Sequence, residues 1–231
     1  MARRLAPSVL NADLAHLAQQ VRLVQDVAEW IHLDIMDGHF VPNLTFGPPV
    51  VAALRPCTDR FLDCHLMVDN PVELLPALAS AGASSVTMHV EALRDPGAAL
   101  EAAAGHGLAT GLAMRPDTAL DTVLPWLGTI DLVLPMTVVP GFGGQRFRGD
   151  VLPKLAAARR AIDASGREIA LQVDGGVNLD TLPDCLAAGA DVFVVGTAIF
   201  GADDPATAAK AFRSLIDHGL AAGSDDRAGE A

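Results

Sequence analysis

Eight times along this chain a short apolar run gives way to a longer amphipathic stretch, and this alternation limits the fold more than any other feature. Short apolar runs suit strands buried on both faces, amphipathic stretches suit the helices that cover them, and repetition of the pair builds a parallel sheet. The expected strands lie at 4–9, 30–36, 61–67, 85–90, 109–114, 130–136, 169–173 and 191–195. Helices are expected near 12–27, 48–55, 71–81, 96–106, 118–126, 150–165, 179–188 and 205–218, several opened by Asn, Asp or Pro. The small-residue turns Ala81-Gly82-Ala83, His106-Gly107 and Ala188-Gly189-Ala190 come just before strands, where a helix must stop and the chain reverse. In 231 residues, eight such units fit one closed (β/α)₈ barrel. That domain is expected over residues 1–220, with the small, polar, acidic segment 221–231 as a disordered, solvated tail.

Barrel enzymes keep their chemistry at the C-terminal ends of the strands. The two-residue period of a strand puts His32, Asp34 and Met36 on one face of the second strand, with Ile31, Leu33 and Ile35 opposite. Asp63 and His65 share a face of the third strand, and Asp174 ends the seventh. Two imidazoles and two carboxylates, His32, His65, Asp34 and Asp174, can converge on one point as a mixed nitrogen and oxygen site for Zn²⁺, Fe²⁺, Mn²⁺ or Co²⁺. A lone His or Asp could equally just hydrogen-bond inside the barrel; four at C-terminal strand ends favour the metal.

Glycine-rich segments follow the last three strands: Pro140-Gly141-Phe142-Gly143-Gly144-Gln145, Gly175-Gly176 and Gly196-Thr197. Any one could serve only a tight turn, but three on one face suit backbone N–H groups that approach a phosphate. The net charge of −12 disfavours nucleic acid and anionic membranes, so any phosphate must be bound by such local dipoles. Cys57, Cys64 and Cys185 are widely spaced and odd in number, which suggests neither a disulfide framework nor a thiolate zinc site and fits a cytoplasmic protein. Neither a signal-peptide core nor an 18-residue apolar span is found, so no membrane association is expected.

The stretches APSVLNADLAHL, HLDIMDGHFVPNLTFGPPV, LDCHLMVDNP, PGFGGQRF, VDGGVN and FVVGTAIFG, spanning about residues 5–201, resemble in order and spacing the ribulose-phosphate 3-epimerase family. The resemblance implies a TIM barrel of the ribulose-phosphate-binding type, a cytoplasmic isomerase and homo-oligomer, with one divalent metal ion, most often zinc or ferrous iron. Its substrate would be a small ketose phosphate, D-ribulose 5-phosphate interconverting with D-xylulose 5-phosphate. By match to the motifs, His32, Asp34, His65 and Asp174 resemble the metal ligands, and Asp34 and Asp174 also the two proton carriers. Ser8 and His65 resemble substrate-binding positions, and Gly143, Gly144, Gly175, Gly176, Gly196 and Thr197 the phosphate cradle. Gly141 and Phe142 belong to a loop expected to close over substrate, while Met36, Met67, Met136 and Arg115 are candidate pocket lining. Inversion at C3 explains the paired carboxylates, since one proton must leave one face of the sugar and another arrive at the opposite face.

Three positions depart from the family's usual residues: Thr197 for serine, Val139 for asparagine before Pro140-Gly141, and Arg115 for asparagine after Met114. LDCHLMV, MTV and DVFVVGT also resemble the allulose-6-phosphate 3-epimerase branch, an alternative the pentulose reading must outcompete. A Schiff-base aldolase would need a lysine in a strand, yet Lys154 and Lys210 fall in expected outer helices. A decarboxylase of the orotidine-phosphate type would carry D-x-K-x-x-D where Asp63, His65 and Val68 stand. A non-catalytic phosphosugar-binding barrel is disfavoured by the intact carboxylate pair.

Overall fold

The computed structural model describes residues 2–219. The tail expected at 221–231 lies outside the described residues. Eight parallel strands, β1 (Arg4–Pro7), β2 (Trp30–Met36), β3 (Phe61–Met67), β4 (Ser85–His89), β5 (Ala109–Met114), β6 (Leu132–Pro135), β7 (Ala170–Val173) and β8 (Val192–Val195), pair in the order β1-β8-β7-β6-β5-β4-β3-β2. A parallel bridge between Ser8 and His32 joins the two ends of that order, so the sheet curls into the expected (β/α)₈ barrel.

Helices α1 (Leu17–Val24), α2 (Pro48–Leu54), α3 (Pro71–Ser80), α4 (Pro96–Gly105), α5 (Leu152–Ser165), α6 (Leu182–Ala187), α7 (Thr197–Phe200) and α8 (Pro205–His218) follow the strands. Proline in the first turn opens most of them, where its missing N–H costs nothing. Asp95 and Asp204 cap α4 and α8 by accepting from Ala98 N and from Ala206 N and Thr207 N. The three small-residue turns reverse the chain as expected: Ala83, Leu108 and Ala190 donate back to the carbonyls of Leu78, Ala103 and Cys185. Among the described residues no helix is long and apolar enough to cross a membrane.

Two expectations are corrected. Residues 118–126 form no α-helix but two 3₁₀ turns, Leu120–Thr122 and Leu124–Trp126, because Pro125 lacks the N–H that a continuing helix needs. The segment 12–27 is helical only from Leu17 to Val24, preceded by a 3₁₀ turn, Leu14–His16, whose Ala15 N–H is claimed by the Asp13 side chain. The short α7 was not foreseen; it opens directly behind β8 at Gly196-Thr197.

The strand period divides the core. Outward-facing Leu5, Ile31, Leu33, Leu62, Leu66, Val86, Met88 and Phe193 pack under the helices. Inside, Ala6, Ala113, Leu132, Leu134, Ala170, Val192 and Val194 fill one side of the barrel, and the polar residues of β2, β3 and β4 fill the other. Gly111 of β5 faces this interior, where an added Cβ would lie 2.5 Å from Thr87 Oγ1 and 3.0 Å from Leu132 Cδ2. Gly111→Ala is therefore expected to destabilise the fold by about 1–3 kcal/mol through overpacking, measured by urea denaturation. An unchanged midpoint would mean that the barrel relaxes around the methyl group.

Candidate functional site

Strand register assembles the site. In the β2/β3 pair His32 lies opposite Asp63, Asp34 opposite His65 and Met36 opposite Met67, so alternate residues of both strands enter the barrel together. Asp174 follows β7 and bridges to Met136, just beyond β6, which brings it to the same mouth from another strand. One ligand atom from each of His32, Asp34, His65 and Asp174 lies within 4.8 Å of every other. His32 Nε2 is 3.3 Å from Asp34 Oδ1 and 3.9 Å from Asp174 Oδ2; His65 Nδ1 is 3.1 Å and 3.7 Å from the same two atoms.

Each buried member is oriented from behind. Asp63, fully buried, accepts from His32 Nδ1 at 2.8 Å, from Ser85 Oγ at 2.8 Å and from Gln172 Nε2 at 2.6 Å. With its Nδ1 proton committed to Asp63, His32 turns Nε2 toward the carboxylates, where that nitrogen has no hydrogen-bond partner. An orphaned, buried imidazole nitrogen facing two carboxylates and a second imidazole fits a divalent cation, with Asp63 as the carboxylate behind a liganding histidine. Ser8 Oγ donates to Asp34 Oδ2 at 2.6 Å. His65 Nε2 lies 2.9 Å from His89 Nε2, and His89 Nδ1 lies 3.1 Å from Glu91 Oε2.

The electrostatics separate the two site carboxylates. Burial opposes ionisation of Asp34, but the adjoining His32 and His65 outweigh it and hold its carboxyl well below the usual range. Asp174 is pushed up to about 6 by burial and then by the charge of Asp34, against the pull of both histidines. Burial would lower His32, yet Asp34 and Asp63 together hold it well above the ordinary imidazole value. Two carboxylates driven apart in this way are suited to opposite roles in proton transfer. A divalent cation would take over the charge compensation that the His32 proton provides, so its binding would release that proton.

Above the four residues opens a cavity of about 270 Å³. Ser8, Asp34, Met36, Met67, Met136, Gly141, Phe142, Gly143, Gly144, Asp174, Gly175, Gly176, Gly196 and Thr197 all line it. His32 and His65 are fully buried beneath it. Gly176 has a left-handed backbone (φ +69°), and a Cβ there would stand 2.7 Å from Phe147 Cα, so no side chain fits where the two loops meet. Phe142, 55% exposed, and Val139 stand at the rim. Gln145 Nε2 donates to the carbonyls of Val139 and Phe142, and Asn43 Nδ2 donates to that of Gly141, so this loop is tied internally and to the loop after β2.

Arg115 does not line the cavity. Its guanidinium lies 4.5 Å over the Phe40 ring and donates to the Phe40 carbonyl at 3.2 Å, which turns it away from the mouth. Sequence reasoning missed Asn11, whose side chain enters the cavity between the glycine loops, 2.7 Å from where a Gly196 Cβ would be. Its place in the motif APSVLNADLAHL, three residues after Ser8, was the available signal. The roles of Gln172, His89 and Glu91 also went unread.

Comparison with known proteins agrees with this geometry. The model of the ribulose-phosphate 3 epimerase family matches residues 4–200. The chain is 47% identical over 209 residues to ribulose-phosphate 3-epimerase of Mycobacterium tuberculosis (strain ATCC 25618 / H37Rv), covering 90% of this chain and 91% of that protein. It is 42% identical over 203 residues to the Bacillus subtilis (strain 168) protein of the same name, covering 87% and 94%. Among solved structures, KGPDC from Streptococcus mutans superposes with a TM-score of 0.74 at 19% identity, over 94% of this chain and 98% of that one. 3-Hexulose-6-phosphate synthase from Salmonella typhimurium gives 0.71 at 21% identity over 94% and 99%, and at such identities the likeness speaks for the barrel alone. With nine tenths of its length aligned at close to half identity, the chain belongs to the ribulose-phosphate 3-epimerase family and is an isomerase acting on carbohydrates.

Proposed function

We propose that the barrel mouth interconverts D-ribulose 5-phosphate and D-xylulose 5-phosphate by proton transfer at C3, with Asp34 and Asp174 as the two carriers. The observation that carries this reading is the placement of two carboxylates from different strands, Asp34 of β2 and Asp174 beyond β7, on one cavity wall with ligand atoms within 4.8 Å of each other and of both imidazoles. The opposite shifts of Asp34, held down by the histidines, and Asp174, raised by burial, support it. An ionised Asp34 can remove the C3 proton, and a protonated Asp174 can deliver one to the enediolate; in the reverse direction the two exchange tasks. Ser8 aims the Asp34 carboxylate by donating to its Oδ2.

His32, Asp34, His65 and Asp174 would hold a divalent cation. That ion would supply Lewis-acid stabilisation of the negative charge that develops on the enediolate. Zn²⁺ and Fe²⁺ suit the mixed donor set best, and Mn²⁺ or Co²⁺ could replace them. Gly143, Gly144, Gly175, Gly176, Gly196 and Thr197 supply the phosphate cradle, supported by their common position on the cavity wall. Met36, Met67 and Met136 give a water-poor wall beside the reacting carbons, and Gly141 and Phe142 belong to the covering loop. The cavity suits a substrate no larger than a small sugar phosphate. Cytoplasmic location fits three free cysteines, and a related protein from Oryza sativa subsp. japonica, 42% identical, is named a cytoplasmic isoform.

The protein supplied with Zn²⁺, Mn²⁺ or Fe²⁺ is expected to exchange the C3 proton of ribulose 5-phosphate for solvent deuterium, and a chelator is expected to stop the exchange. On ribulose 5-phosphate kcat/KM should exceed that on allulose 6-phosphate by about tenfold or more. A reversed ratio would move the chain to the hexulose branch. Absence of exchange from every pentulose and hexulose phosphate would end the epimerase reading.

A further inference from the structure

His89 and Glu91 stand one layer behind the site and take no part in the chemistry described above. His89 ends β4 and is fully buried, so no water competes for its ring nitrogens. Glu91, two residues on, is fixed on its Oε1 side by the Arg115 backbone N–H at 2.8 Å and by the Thr118 hydroxyl. The loop that carries those donors is itself anchored by Lys154 of α5, whose Nζ donates to the carbonyls of Arg115, Pro116 and Thr118. Arg115 stacks on Phe40, and the Phe40 ring packs against that of His89 at a centroid distance of 4.9 Å. Glu91 and His89 are thus both held by contacts with other elements.

The proton positions then follow in sequence. An ionised carboxylate only accepts, so Glu91 Oε2, 3.1 Å from His89 Nδ1, requires the His89 proton on Nδ1. The neutral His89 ring is left with a bare Nε2, 2.9 Å from His65 Nε2. Two bare nitrogens cannot share a hydrogen bond, so His65 carries its proton on Nε2. His65 Nδ1 lies 3.1 Å from Asp34 Oδ1 and 3.7 Å from Asp174 Oδ2; without a cation it donates to the ionised Asp34, and a bound cation would displace that proton and leave the one on Nε2. We propose that Glu91 and His89 are positioning residues that fix His65 in the Nε2–H tautomer and so present Nδ1 to the metal. Asp63 does the same for His32 in one step, directly through a carboxylate, whereas His65 is reached through an intervening imidazole. Arg115, the departure from the family's usual residue, would serve this chain of contacts from outside the cavity and leave the sugar untouched.

This inference rests on the reading of His65 as a ligand, because Nδ1 gives up its proton only when a cation takes that place beside Asp34. Nitrogen-15 NMR of the Zn²⁺-loaded protein is expected to show a scalar coupling between Nε2 of His65 and Nε2 of His89, with the bridging proton on His65. Zn²⁺ affinity, measured by competition with a chromophoric chelator, is expected to fall about 10–100-fold in His89→Phe. It should recover in part in His89→Gln, whose amide oxygen can accept the same proton. Melting of the metal-free variants separates a lost fold from a lost contact, and Glu91→Gln is the substitute if His89→Phe fails to fold. A bridging proton found on His89, or Zn²⁺ affinity unchanged in His89→Phe and Glu91→Gln, would overturn the proposal. Failure of the unsubstituted protein to bind Zn²⁺ would instead remove the ligand reading itself, whereas Zn²⁺ binding that both variants leave unchanged removes only the positioning role.

Discussion

Asp174→Asn is expected to lower epimerisation of ribulose 5-phosphate by about 10²–10⁴-fold, the range that one positioned acid or base contributes. The amide matches the carboxylate in size and can still offer an oxygen, but it cannot take up or give back a proton. Asp174 sits beyond the end of β7, and its side chain is only 16% exposed, so the substitution removes a proton carrier without opening a cavity in the barrel. Asp34 remains in place with its Ser8 hydrogen bond. The variant should therefore still wash deuterium into C3 of the one epimer whose proton faces Asp34, with retention of configuration, while inversion is lost. Steady-state turnover and mass spectrometry of recovered sugar measure the two effects separately. Turnover within about tenfold of the unsubstituted protein would exclude Asp174 as a general acid or base.

Asp63→Ala should produce the largest loss of stability at the site, about 3–5 kcal/mol, although Asp63 neither lines the cavity nor belongs to the four ligand candidates. Its carboxylate is fully buried and accepts three hydrogen bonds, from His32, Ser85 and Gln172. Burial opposes its ionisation, yet those donors, His32 foremost, hold its pKa below the ordinary carboxylate value. Alanine would leave three buried donors facing nothing, and each unmet donor carries its own desolvation cost. For a chain of this size the loss corresponds to a fall in Tm of roughly 6–20 °C, at about 2–4 °C per kcal/mol. The same variant frees the His32 ring, so its Zn²⁺ affinity should fall as well. A melting temperature lowered by less than about 2 °C would show that water replaces the carboxylate and that Asp63 is not the anchor of His32.

Much of this protein could be read from residue order alone. The period-2 alternation in WIHLDIM and FLDCHLM already assigns His32, Asp34, Asp63 and His65 to one face, because a strand has no other way to dispose successive side chains. Eight βα repeats allow few arrangements other than a barrel, and the glycine-rich segments after the last three strands mark its open end. Local chemistry sufficed for these features. Where a second local rule intervened, the expectation failed: the apolar spacing of 118–126 suggests a helix, but Pro125 breaks it into 3₁₀ turns.

What the tertiary structure alone decided are contacts between residues far apart in the chain. Gln172 reaches Asp63 across 109 positions, and Arg115 is drawn to the Phe40 carbonyl across 75, which takes its charge out of the cavity it was expected to line. His89 and Glu91 acquire a task only because β4 lies beside β3 in a register that brings His65 within hydrogen-bonding distance of His89. Sequence determined which side chains enter the barrel, since that depends on the strand period. Three-dimensional closure decided which of them touch, and with that where each buried proton sits, because a proton's position depends on the partner across the barrel and not on the neighbours along the chain.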